Sequence, residues 1–133
     1  METIAVRLTD GQDLLVEIKD VTFKQDIEAG VILSGVGSLK KAKIRVPVIN
    51  GEVKYIEPQN LEIDALHGTV SKNGCHVHIT VSDISGNAYG GHIKEGCIVR
   101  TTCELVIGIV KNTRFKRTLD PATGFEELVI ETA

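Results

Sequence analysis

The chain has 133 residues, with 15 basic and 18 acidic side chains and a formal net charge of −3. At 42% apolar and 25% charged it has ordinary globular usage, which excludes disorder, collagen and coiled coil, and its length suits one domain over residues 1–133. With 4% aromatics and no tryptophan it offers no stacking platform for single-stranded nucleic acid, and its acidic balance suits DNA phosphates poorly.

Thr3 to Leu8 alternates as a strand with Ile4, Val6 and Leu8 on one face. Asp10-Gly11 breaks it, and Leu14, Leu15, Ile18 and Val21 then recur at helical spacing, predicting a helix from about Gln12 to about Gln25 with Gly30 as its stop. Val31 to Leu33 is apolar, and Gly35-Val36-Gly37 reads as a flexible corner. Lys43 to Ile49 alternates, with Pro47 marking an edge or an irregularity. Asn50-Gly51 is a hairpin turn, Glu52 to Ile56 returns, and Pro58 ends that strand. Strands follow at Leu61 to Val70, Cys75 to Ile84 and Ala88 to Lys94, joined at Asn73-Gly74 and Ser85-Gly86. Cys97 to Val110 is the longest strand candidate, and Phe115 to Ile130 holds two short strands around the Asp120–Gly124 loop. One early helix followed by consecutive hairpins gives an α+β fold, an antiparallel sheet packed against one main N-terminal helix.

Alternate strand residues face opposite ways. After Asn73-Gly74, Val77, Ile79 and Val81 form the core face, and His76, His78, Thr80 and Ser82 lie on the other. His92 on the next strand is a candidate third metal ligand. If Ser85-Gly86 alone makes the turn, His92 faces Ile79 and points to the wrong side. If the loop spans Ile84 to Gly86, or Gly90-Gly91 forms a bulge, His78 lies opposite His92. Imidazole suits zinc, and three protein ligands form the usual open site; affinity is expected to fall as pH drops through about 6.5. The competing reading is a set of polar residues hydrogen-bonding at an interface. Cys75 is a competing ligand that alternation turns toward the core, and His67, on a different strand, reads as structural.

In the long strand, Val99, Thr101, Cys103, Leu105, Ile107 and Ile109 point one way, and Arg100, Thr102 and Glu104 the other. That second face also carries Ile98, Val106 and Val110, a mixture that suits a subunit interface. Glu104 is the one acid that alternation places on the histidine side. It is the candidate catalytic residue, able to orient a zinc-activated water, unless it pairs with Arg100 four residues back.

Other signals carry little chemistry. Gly35-x-Gly37 lacks the third glycine of a dinucleotide fingerprint, and no G-x-S-x-G, P-loop or H-E-x-x-H occurs. Lys40-Lys41-x-Lys43 reads as solvated surface, and Asp120 and Thr123 as turn-formers. Met1 is the only methionine and reads as a genuine start, with no signal-like or membrane-length apolar run after it. Three cysteines without C-x-x-C spacing read as free thiols in a reducing compartment, which gives a cytoplasmic expectation.

The order Gly35-Val36-Gly37-Ser38-Leu39, Glu62-Ile63 and Leu66-His67-Gly68-Thr69-Val70-Ser71 resembles the PPC (plants and prokaryotes conserved) domain. The likeness continues through His76-Val77-His78-Ile79, Asp83, Gly86, Gly90-Gly91-His92 and Thr102-Cys103-Glu104, and closes with Phe115-x-Arg117, Asp120 and Thr123-Gly124-Phe125. The resemblance implies a small α+β homotrimer, with a metal on the histidines matching His76, His78 and His92 in some prokaryotic members. Plant members carry AT-hooks, absent here, and their Gly-Arg-Phe-Glu-Ile stretch stands here as Gln59-Asn60-Leu61-Glu62-Ile63. The expected function is a trimeric binding or interaction module with a three-histidine zinc site. The alternatives are a zinc-dependent hydrolase or lyase acting on a small molecule, and a DNA-associated regulator. The expected partner is the chain itself, as a homotrimer, and the zinc reading leaves room for a small-molecule ligand. No membrane is expected, and no DNA without a hook.

Overall fold

A computed structural model describes residues 2–133; Met1, read above as a start, lies outside them. Strand β1 (Thr3–Thr9) leads into helix α1 (Leu14–Lys24). Asp13 starts the helix: its carboxylate accepts from Val16 N at 3.2 Å and, through its second oxygen, from Gly96 N at 2.7 Å. One side chain thus caps the helix and ties it to the distant loop that precedes Ile98. Asp13→Ala is expected to lower stability by about 1–2 kcal/mol, read as a shift in urea midpoint.

Leu14, Leu15, Ile18 and Thr22 form the buried stripe of α1. The helix stops before the predicted Gly30. Asp26 takes φ 51° and Ile27 N donates back to Thr22 O at 3.0 Å, so the chain turns early. Gly30 instead opens strand β2 (Gly30–Lys41), where a Cβ would sit 3.1 Å from both Ile27 and Val70 side chains.

The remaining strands are β3 (Ile44–Arg45), β4 (Tyr55–Ile56), β5 (Gln59–Ser71), β6 (Gly74–Ser82), β7 (Ala88–Ile93), β8 (Ile98–Ile109), β9 (Thr113–Leu119) and β10 (Glu126–Thr132). Eight strands form one sheet in the order β1-β8-β2-β5-β6-β7-β3-β4, and β9 and β10 pair as a separate hairpin. Every strand pair is antiparallel, so the fold is mostly antiparallel sheet with one short helix. Leu14 and Ile18 of the helix and Leu39, Ile44, Val70, Val77, Ile79, Val81, Val99, Leu105 and Ile107 of the sheet fill the core.

Four local expectations are corrected. Gly35-Val36-Gly37 is not a corner: β2 runs straight through it, between β8 and β5, with register shifts on either side. A Cβ at Gly35 would strike the Leu66 side chain and one at Gly37 the Thr102 backbone, so these glycines serve close approach between strands. The predicted Lys43 strand is paired only over Ile44–Arg45 before Pro47, although the Asn50-Gly51 turn forms with φ of 52° and 73°. At 13 residues β5, not the 12-residue β8, is longest. Thr101 leaves the core face: the register jumps from Gly37↔Cys103 to Ser38↔Arg100, and Thr101 bulges outward, exposed, at φ 65°.

Two turns have particular consequences. Ser71 pairs with Gly74, so Lys72 and Asn73 are the turn residues and Gly74 begins β6 at φ 142°. Phe115 anchors the C-terminal hairpin beside this turn: its N–H donates to Glu28 O, and its carbonyl accepts from Ser71 Oγ and Asn73 Nδ2.

Candidate metal centre

The β6–β7 hairpin decides whether the histidines meet. Asp83 N donates to Asn87 O at 3.0 Å, leaving Ile84, Ser85 and Gly86 as the loop. The Asp83 carboxylate braces that loop by accepting from Ser85 N, Asn87 N, Asn87 Nδ2 and the Tyr89 hydroxyl. Of the two loop lengths the sequence allows, this is the one that sets His78 opposite His92. The Gly90-Gly91 bulge is not needed, because the pairing is continuous from Ser82↔Ala88 to His78↔His92. Gly91 admits β3 instead: a Cβ there would lie 2.7 Å from Arg45 O and 2.9 Å from the Ile44 side chain.

Val77, Ile79 and Val81 are buried, and His76 and His78 are exposed on the opposite face. One ligand atom from each of His76, His78 and His92 lies within 4.8 Å of the others. His76 Nε2 and His78 Nε2 are 3.2 Å apart. Tetrahedral zinc with bonds of about 2.0–2.1 Å sets its nitrogen ligands about 3.3 Å apart, so this pair already has the required spacing. His92 Nδ1 is buried without a hydrogen-bond partner among the described residues. A buried unpaired ring nitrogen costs roughly 1–3 kcal/mol, a cost that a metal bound there would remove. The donor set therefore fits a divalent ion that accepts imidazole.

Loss of hydration is the main force on the ring protonation states. It pushes His92 down to about 4, with the Arg45 guanidinium as the next cause, and it lowers His78, helped by His76 and His67. Both rings are thus neutral, and ready to ligate, at physiological pH. Burial also pushes the Cys97 and Cys103 thiols up to about 11 and raises Cys75, disfavouring the thiolate that zinc requires. The three cysteines are free.

His67, read as structural, is not among the three clustered ligands; it is exposed, directly across from His78, with ring centroids 6.3 Å apart. Glu104 is remote from the cluster. It lies on β8, with β2 and β5 between it and β6, roughly 14 Å away at ordinary strand spacing. The Arg100–Glu104 pair does not form either, since the Arg100 guanidinium donates to Asn60 Oδ1. Alternation assigns a residue to a face but not to a position across the sheet, and Glu104 shares only the face.

Residues to which the sequence reading gives no role at the site flank the histidines. A pocket of about 440 Å³ adjoins His76 and His92, and its wall includes Arg45, Arg117, Glu126 and Glu127. Arg45 pairs across from His92. Alternation in the Lys43 segment puts Arg45 off the core face, so the pairing between β3 and β7 is the missing knowledge. Arg117 and the two glutamates come from the C-terminal hairpin, whose docking leaves no local signal.

Residues 1–111 match the Plants and Prokaryotes Conserved (PCC) domain. The chain belongs to that family. It is 41% identical over 126 residues to the bifunctional protein GlmU of a Synechococcus strain, covering 95% of this chain and 20% of that protein. The chain thus spans about a fifth of the length of the curated relatives it matches. Among solved structures, a hypothetical protein from Salmonella enterica superposes with a TM-score of 0.90 at 32% identity, covering 98% of this chain and 94% of that one. A protein from Archaeoglobus fulgidus described as metal-containing superposes with a TM-score of 0.83 at 27% identity, covering 97% and 94%.

Proposed function

We propose that the chain is a binding module, one domain over residues 1–133, that assembles as a homotrimer and holds zinc on His76, His78 and His92. The convergence of three ligand atoms within 4.8 Å carries this reading. It depends on a hairpin register that nothing in the H-x-H spacing requires, and the metal-containing description of the Archaeoglobus relative supports it. When bound, the ion supplies Lewis-acid polarisation of an oxygen on a ligand. The protein's share is to hold His78 and His92 neutral by limiting their hydration and to fix their strands in register.

The trimer rests on the mixed face of the sheet. Val36 is 54% exposed beside Glu104, its partner in the β2–β8 pairing, and half-buried Val106 lies on the same strand as Glu104. Burying such a face contributes about 25 cal/mol per Å² of apolar area. With a net charge of −3, the chain is expected to bind duplex DNA at most weakly, and not at about 200 mM salt.

Metal analysis of tag-free protein is expected to find one divalent ion per chain, and light scattering a trimer at micromolar concentration. A protein that takes up no ion after dialysis against zinc overturns the metal reading. A clean monomer overturns the assembly. Submicromolar, sequence-selective DNA binding at that salt would replace both with a regulator.

A further inference from the structure

We propose that the pocket beside the histidines binds a small oxyanion, a carboxylate or a phosphate, held by Arg45 and Arg117. The proposal deepens the metal reading and rests on it for part of the pocket's positive charge. The two arginines reach the site from unrelated parts of the chain. Arg45 comes from β3, across from His92. Arg117 comes from β9 of the C-terminal hairpin, and its Nη2 donates to Thr69 Oγ1 at 2.8 Å. Thr69 pairs across from His76, so the Arg117 guanidinium stands next to that ligand.

Both arginines are half-buried, and neither forms an ion pair among the described residues. By contrast Lys116, adjacent to Arg117 in sequence, pairs with Glu131 at 2.9 Å. A guanidinium presents N–H donors in a rigid fork that matches the paired oxygens of a carboxylate or phosphate. Arg117 spends one nitrogen on Thr69 and retains other donors.

The local backbone makes room for this arrangement. A Cβ on Gly74 would fall 2.9 Å from Arg117 Cγ, and Gly74 also takes φ 142°, so glycine lets the arginine stem cross the β5–β6 turn. Glu126 and Glu127 edge the same pocket. With a divalent ion on the histidines, the two arginines and the ion outweigh the two glutamates, and the pocket is net positive. Its volume, about 440 Å³, admits a ligand larger than the anionic group alone, and the apolar wall from Val48 and Phe125 suits a short carbon skeleton.

The test is calorimetric titration of tag-free, zinc-loaded protein, freed of unbound zinc, with malonate and with inorganic phosphate. At least one probe is expected to saturate in the millimolar range or tighter, and the tighter of the two identifies the anion class. Arg45→Gln and Arg117→Gln are each expected to weaken that probe by about tenfold or more, with metal content and circular dichroism unchanged. Lys116→Ala removes a nearby positive charge and is expected to change nothing. Failure of both probes to saturate at millimolar concentration in protein that holds its metal overturns the anion site and leaves the metal site standing. So does binding that ignores both arginine variants. If the protein takes up no metal, the metal reading fails, and the same titrations on the metal-free chain still decide whether the arginines hold an anion.

Discussion

Replacement of His78 by alanine is expected to weaken zinc binding by at least about a hundredfold while leaving the fold intact. Structural zinc sites bind with roughly 10–16 kcal/mol over four ligands, so one ligand is worth about 3 kcal/mol. His78 is one corner of the cluster, with ring centroids 5.0 Å from His76 and 5.7 Å from His92. Its loss leaves His76 and His92, with centroids 5.3 Å apart, as a two-ligand site. The fold does not need the ring, because the same strand buries Val77, Ile79 and Val81 on its other face. The pH response follows from the poorly hydrated rings. His92 is depressed to about 4 and His78 is lowered, so neither carries a proton for zinc to displace just below pH 6.5. Proton competition at these two of the three ligands is therefore expected to set in below pH 6.5, and at His92 near about 4. In the metal-free protein the unfolded chain takes protons on these rings that the folded chain refuses. The stability these two rings contribute is present in full above about 6.5 and declines as pH drops from there toward about 4. Chelator competition across pH 4–8 measures the first effect, and urea midpoints of apo-protein the second. Wild-type zinc affinity in the His78 variant, or apo-protein urea midpoints that do not fall between about pH 6.5 and about 4, would contradict this account.

The elements are legible where their signal is local. Alternation locates the core face of β6, helical spacing locates the buried stripe of α1, and Asn50-Gly51 marks its turn with both residues at positive φ. The errors share one cause, which is that pairing between distant strands is invisible in a local pattern. Gly35 and Gly37 read as a corner because glycine's freedom and glycine's small size leave the same letter. Only the neighbouring Leu66 and Thr102 show that size is required at both, and at Gly37 a φ of 150° uses the freedom as well. The site divides in the same way. A spacing of two fixes His76 and His78 to one face, and His92 needs the loop length, which Asp83 sets through its bonds to Ser85 and Asn87. Arg117 is marked in the sequence only through Phe115-x-Arg117 in the family resemblance, with no role attached, since its place depends on a hairpin held by Phe115 against the β5–β6 turn.

Gly68→Ala is expected to destabilise the protein by about 3 kcal/mol or more, and to disable the metal site with it. Gly68 lies in β5, paired with Val77 of β6. A Cβ there would overlap the His76 carbonyl oxygen and stand 2.7 Å from Val77 Cα. Those atoms are backbone, so no side-chain rotation relieves the clash, and β6 must move away from β5. The flanking pairs are His67↔His78 and Thr69↔His76, which means the displaced β6 segment carries two of the three ligands, away from the β5 hydroxyl of Thr69 that receives Arg117. Gly51→Ala separates this effect from glycine's general conformational role. Gly51 has φ 73° but nothing within 4 Å of where an added methyl would sit, so the cost there is backbone strain alone, about 1–2 kcal/mol. Urea midpoints of the two variants, with zinc content measured on each, decide the matter. The Gly68 variant is expected to lose more stability than the Gly51 variant and to lose metal, while the Gly51 variant keeps it. A Gly68→Ala protein as stable as the Gly51 variant, with its zinc retained, would mean that β5 and β6 can separate without disturbing the histidines.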